Sequence, residues 1–61
     1  IEYINRKRIE KAQYLICTED GSLAEISRKV GFSYLPYFSQ TFKRYVGASP
    51  HAYRKQHLAF A

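Results

Sequence analysis

Gly31 sits between two short amphipathic segments, and this punctuation constrains the fold more than any other feature of the chain. Upstream runs Ser22-Leu23-Ala24-Glu25-Ile26-Ser27-Arg28-Lys29-Val30; downstream come Phe32-Ser33, a short break, then Tyr37-Phe38-Ser39-Gln40-Thr41-Phe42-Lys43-Arg44. Leu23, Ile26, Ser27 and Val30 stand at i, i+3, i+4 and i+7, and Phe38, Thr41, Phe42, Tyr45 and Val46 repeat that spacing with one more position at i+8. Apolar positions at this period predict two helices, each with one buried face. Ser27 is small, so a neighbouring helix can approach closely there. Gly31 supplies the backbone freedom that a tight turn between the two helices needs. Ser22 followed three residues later by Glu25 is the capping-box pattern at the start of the first helix. Ser33 or Tyr34 caps the second, Pro36 falls in its first turn where a missing N–H costs nothing, and Gly47 stops it.

Two further helices flank this pair. From Ile1 to about Thr18, the residues Ile4, Ile9, Ala12, Leu15 and Ile16 share a face. Glu2 with Arg6, and Arg6 with Glu10, give charge pairs four apart on the outer side. Asp20-Gly21 ends this segment, with Gly21 expected in the left-handed conformation of a helix stop. Ser49-Pro50 opens a last short helix running to about His57, with Ala52 or Tyr53 packed back on the core. The tail from His57 to Ala61 is expected to fray. No strand pattern occurs. The expected fold class is all-α: a small helical domain of about four helices in a homeodomain-like three-helix arrangement. A long helix at 1–19 precedes a helix-turn-helix at 22–46, and a short helix at 50–57 follows. The 61 residues make one domain at most, with little core to bury.

Charge is divided unevenly. Residues 1–25 carry four basic and five acidic side chains; residues 26–61 carry Arg28, Lys29, Lys43, Arg44, Arg54 and Lys55 and no acid. A positive field gathered in one half suits a polyanion partner. Other chemistries find no support. Cys17, His51 and His57 have no recognised ligand spacing, and structural zinc needs four ligands. No glycine-rich phosphate loop and no nucleophile–base pairing is present, so the chain reads as no enzyme, with no metal and no cofactor. No apolar run is long enough to span a membrane, and no signal-peptide pattern occurs. The single cysteine, Cys17, cannot close an internal disulfide, in keeping with a cytoplasmic setting. The chain starts at Ile1 and contains no Met, so it reads as a piece of a longer protein.

With Phe38, Phe42 and Tyr45 turned inward, the opposite side of the second amphipathic helix holds Pro36, Gln40 and Lys43, flanked by Tyr37 and Arg44. Gln40 can make a bidentate contact to adenine N6 and N7. Lys43 and Arg44 lie further along, where phosphate contact is the natural role, and Tyr37 can reach a phosphate or a sugar. Leu35 either turns partly inward or meets a thymine methyl group. Ser22 and Ser33 are expected as caps whose helix N-termini can also bind phosphate. The plainer alternative for this face is ordinary solvated surface.

Read in order, Tyr3-Ile4, Arg8-Ile9, Ala12, Leu15-Ile16, Leu23-Ala24-Glu25-Ile26-Ser27, Val30-Gly31-Phe32-Ser33, Tyr37-Phe38-Ser39, Phe42-Lys43, Gly47, Ser49-Pro50 and Tyr53-Arg54 resemble the C-terminal DNA-binding domain of the AraC/XylS family of bacterial transcription regulators. The resemblance covers nearly the whole chain. It implies the family's central helix and second helix-turn-helix unit, with a first unit and a sensor or dimerisation domain in a missing N-terminal part. It also implies double-stranded DNA as partner, with RNA polymerase as a second, and a recognition helix of about 34–46 in the major groove. The family's base-reading positions fall on Leu35, Pro36 and Gln40, and the backbone-contacting set becomes Ser33, Tyr34, Tyr37, Ser39, Lys43 and Arg44. Many members carry arginine where Gln40 stands, which implies a preference shifted from guanine toward adenine. Leu35 and Pro36 offer no hydrogen-bonding side chain, so sequence-dependent DNA shape carries part of the readout. Arg8, at the edge of the inner face, is expected in an internal salt bridge with Glu25, in competition with the capping box; DNA contact is the alternative.

A second function class remains open: a helical protein-interaction module, with Tyr3, Tyr14, Tyr34, Tyr37 and Phe60 as exposed aromatic area. The salt dependence of binding separates the two, because phosphate-driven affinity falls steeply with salt. A membrane-surface helix fits poorly, since caps and turns interrupt the apolar stripes.

Overall fold

The apolar stripes and end signals materialise as four helices in a computed structural model that describes residues 1–57: α1 (Glu2–Thr18), α2 (Leu23–Lys29), α3 (Leu35–Val46) and α4 (Pro50–Gln56). No strand occurs among the described residues. Each boundary has a local cause. Ser22 accepts a hydrogen bond from the Glu25 N–H at 3.1 Å, and the Ser22 N–H donates to Glu25 Oε1 at 3.1 Å, so the capping box at α2 is complete. Ser49 accepts from the Ala52 N–H at 3.1 Å, and Pro50 occupies the first turn of α4. Gly47 ends α3 at φ 94°, its N–H donating to the Lys43 carbonyl at 2.8 Å.

The core is built where α1 crosses the other three helices. Ile9, Ala12, Leu15 and Ile16 of α1 meet Ile26 of α2, Val30 and Phe32 of the turn, and Phe38 and Phe42 of α3. Leu23, Tyr45, Val46 and Tyr53 pack around this cluster. Tilted ring contacts run from Phe32 to Phe38 to Phe42 at centroid distances of 5.3 and 5.8 Å, and Tyr53 meets Phe42 edge-on at 5.4 Å. Fully burying one such phenylalanine contributes roughly 1.5–3 kcal/mol, so these rings dominate a small core. Ser27 is buried, and its hydroxyl is satisfied by donating to the Ala24 carbonyl at 2.8 Å. Tyr53 also accepts a hydrogen bond from Gln13 at 3.4 Å. Burial raises its pKa above the ordinary 10.0 and Cys17 pushes the same way, against the lowering effect of the Gln13 hydrogen bond. Of Ala52 and Tyr53, it is the ring of Tyr53 that anchors α4 on the core.

Several local expectations are corrected. Gly21 is not left-handed; among the described residues only Gly31 and Gly47 have positive φ. The chain leaves α1 through an extended Glu19 (φ −124°, ψ 148°), so no left-handed residue is needed. The Arg54 guanidinium covers this end of α1, donating to the Glu19 carbonyl at 3.0 Å. Arg6 pairs with neither Glu2 nor Glu10. It lies 5.6 Å from the Tyr45 ring centroid, while Lys7 meets Glu10 at 3.7 Å. Ile4 shares the apolar face of α1 with Ile9 and is half exposed. The fraying expected after His57, and Phe60 with it, lie outside the described residues. No helix among the described residues is long and apolar enough to cross a membrane, and no group of His, Cys, Asp and Glu among them could hold a metal ion.

Candidate nucleic-acid interface

The turn between α2 and α3 fixes where the candidate surface lies. Gly31 takes φ +106°, its N–H donates to the Arg28 carbonyl at 3.1 Å, and the Phe32 N–H donates to the Ser27 carbonyl at 2.8 Å. These two bonds form the Schellman motif, which ends a helix and redirects the chain in one step. Phe32 then drops into the core, and its burial anchors the start of α3. Tyr34 is the N-cap residue of α3, with no side-chain capping bond, so Ser33 does not serve as the cap. The extended backbone at Tyr34 (φ −130°, ψ 109°) and Pro36 in the first turn set the helix start instead.

Along α3, Phe38, Thr41 and Phe42 are buried, and Pro36, Tyr37, Gln40, Lys43 and Arg44 are exposed. Leu35 has two-fifths of its surface exposed (41%). Ser33 and Tyr34 are exposed, and Ser39 is half-buried. All nine expected contact residues thus fall on one stretch from the turn to the end of α3, with Ser39 the least accessible. Lys43 and Arg44 occupy the last turn, where positive charge also complements the helix dipole.

The front of α3 borders an open depression of about 460 Å³. Gln40, Pro36, Tyr37 and Tyr34 form one side; Gly31, Phe32, Ser33 and Arg8 form the other. Tyr37 is held in place on two sides. Its hydroxyl accepts from Asn5 Nδ2 at 3.2 Å, and its ring lies 5.7 Å from that of Phe32. That link from α1 to α3 has no sequence signature, since Asn5 is one polar residue among many on α1. Arg8 does not pair with Glu25, whose carboxylate is engaged by the Ser22 N–H. Its guanidinium lies over the Phe32 ring at 5.8 Å and against the turn at Gly31. The sequence held one hint of this: the positions three and four away from Arg8 are Ile4, Asn5, Lys11 and Ala12, none of them acidic.

Of the six cations in the positive half, two are occupied internally. Lys29 meets Glu19 at 3.0 Å, and Arg54 covers the end of α1. Arg28, Lys43, Arg44 and Lys55 are exposed without a carboxylate partner among the described residues. The surface therefore offers a hydrogen-bonding amide at Gln40 with cations on either side of it along the chain. Such a surface can hold phosphates and present an amide to a base edge.

A family model described as a helix-turn-helix domain matches residues 1–56. The chain is 47% identical over 55 residues to the Msm operon regulatory protein of Streptococcus mutans, a match spanning 90% of this chain and 20% of that protein. It is 41% identical over 54 residues to the regulatory protein PocR of Salmonella typhimurium, spanning 88% of this chain and 18% of that protein. Over 55 residues it is 36% identical to the transcriptional activator NphR of a Rhodococcus species, spanning 90% and 16% respectively. The chain thus spans a fifth or less of the length of these curated relatives. No solved structure gives a significant match.

Proposed function

The chain belongs to the AraC-type helix-turn-helix family of transcription regulators, and we propose that it reads duplex DNA sequence-specifically with α3 laid in a major groove. DNA-binding transcription regulation is the general function of such a domain. The finer reading rests on one observation: the face of α3 opposite buried Phe38 and Phe42 carries Gln40, Lys43 and Arg44 into solvent, with Gln40 lining an open depression. Gln40 reads a base, with Leu35 and Pro36 against the groove floor. Ser33, Tyr34, Tyr37, Ser39, Lys43 and Arg44 hold the backbone. In this reading α1 is the central helix of the family domain, and residues 22–46 are its second helix-turn-helix unit.

The test is selection of the 61-residue chain against a pool of random labelled duplexes, with the bound fraction sequenced. Wild type enriches a short motif containing adenine. Gln40→Ala loses discrimination at one position by about 1–3 kcal/mol, the worth of a bidentate base contact. An identical enriched motif for both proteins means that Gln40 reads nothing.

A second reading, a helical docking module with a partner such as RNA polymerase, draws on the exposed apolar side chains of Ile1 and, on α1, of Tyr3, Ile4 and Tyr14. A complex that forms without DNA and survives high salt favours it.

A further inference from the structure

Arg8 and Arg28 come from different helices, yet both border the turn that starts α3. Arg8 lines the depression in front of Gln40 together with Gly31, Phe32 and Ser33. A second, shallower hollow shares those three turn residues and has Arg28 beside them. Neither guanidinium takes part in a salt bridge or a side-chain hydrogen bond among the described residues. Glu25, the acid nearest to Arg28 in sequence, has its carboxylate engaged by the Ser22 N–H. Arg8 is also positioned: it lies over Phe32, and a Cβ at Gly31 would come within 3.0 Å of its Nε. A guanidinium held over a ring and against a turn keeps its N–H donors for an oxyanion, and less of its freedom is lost on binding. Ser33, exposed between the two hollows, adds a hydroxyl.

We propose that Arg8 and Arg28 form a phosphate clamp around the turn at Gly31–Ser33, gripping the DNA backbone beside the groove that α3 enters. The inference rests on the DNA reading above and extends it to a residue of α1, outside the helix-turn-helix. The clamp places a positioning contact at the front of α3, where Leu35 and Pro36 supply no charge. Lys43 and Arg44 hold the backbone at the other end. The helix is then fixed at both ends, and Gln40 lies between them.

The experiment measures fluorescence anisotropy of the 61-residue chain on a labelled duplex between 50 and 200 mM salt. Four proteins are compared: wild type, Arg8→Gln, Arg8→Lys and Arg28→Gln, with melts to verify folding. Each phosphate contact contributes about −0.9 to the slope of log affinity against log salt. Arg8→Gln and Arg28→Gln should each make the affinity loss across this range roughly 3.5-fold smaller. Arg8→Lys should keep the wild-type slope, since it retains the charge. The clamp is overturned if wild type binds with a steep salt dependence and both glutamine variants keep the same slope. In that case Arg8 merely covers Phe32, and any lost affinity should track a lowered melting temperature. Arg28 is exposed and lies over no aromatic ring among the described residues, so its variant remains a fair test even where Arg8→Gln loosens the fold. If wild type itself shows no salt-dependent binding, the DNA reading fails and takes the clamp with it.

Discussion

Replacing Gly31 by alanine should cost more than the same change at Gly47, and the difference should come from Arg8. Both glycines have positive φ, +106° and +94°. A Cβ in left-handed backbone costs roughly 1–2 kcal/mol. Part of this is returned because alanine stiffens the unfolded chain, by about 0.4–1 kcal/mol. These two contributions are similar at both sites. The surroundings are not. Nothing lies within 4 Å of a Cβ built at Gly47, whereas one at Gly31 meets Arg8 Nε at 3.0 Å and Cζ at 3.1 Å. The guanidinium is the far end of a flexible side chain, so it moves rather than the backbone. Moving it gives up the contact over Phe32, worth about 0.5–1 kcal/mol at an exposed site. Gly47→Ala should therefore destabilise by about 1 kcal/mol, and Gly31→Ala by about 1.5–2 kcal/mol once the ring contact is included. In a domain of this size each kcal/mol shifts the melting temperature by about 4–8 °C, so the two variants should separate in thermal melts followed by circular dichroism. A double-mutant cycle isolates the cause: in an Arg8→Ala background the cost of Gly31→Ala should fall to that of Gly47→Ala. Equal costs at both glycines in the wild-type background, or an excess at Gly31 that persists without Arg8, would refute the assignment of Arg8 to the turn.

Two further outcomes follow from other parts of the fold. Ser22→Ala removes half of the capping box that starts the seven-residue α2, and it should cost about 1 kcal/mol, read as a lower urea midpoint with unchanged slope; an unchanged midpoint would show that tertiary packing alone holds α2. Tyr53 has its pKa raised above 10.0, chiefly by burial, so the folded state keeps the proton longer than the unfolded chain does. Its contribution to stability is complete below about pH 10, the unfolded value, and is lost as pH rises through the folded value. Absorbance titration should show a late phenolate component that disappears in Tyr53→Phe, and a component that survives the substitution would rule out Tyr53 as its source.

Much of this domain was legible in the chain because its signals are local. Helix positions follow from hydrogen bonds four residues apart and from apolar residues three and four apart, and those distances are fixed by the helix itself. The capping box at Ser22 and Glu25, the stop at Gly47 and the proline start at Pro50 are of the same kind. So is the exposed face of α3, which follows once Phe38 and Phe42 are placed inside. Family membership is an ordered set of such signals, and it too was readable from the sequence.

The tertiary structure decided what depends on how one helix crosses another. Helical spacing puts Ile4 on the inner face, yet half of its surface is exposed, because coverage depends on how the neighbouring helices cross α1. The i, i+4 pairs expected for Arg6 and the ion pair expected between Arg8 and Glu25 do not form, because each cation meets an aromatic ring from a distant part of the chain. An exposed ion pair is worth little, so a nearby ring easily redirects the side chain. The bond from Asn5 to Tyr37 spans 32 residues and exists only because α1 lies against the start of α3. Sequence by itself determined the helices, their ends and the face that α3 presents, since each is set within a few residues. Only the packing of α1 across the turn decided that Arg8 stands at the edge of that face, because no local rule relates a residue on one helix to a glycine turn beyond the next helix.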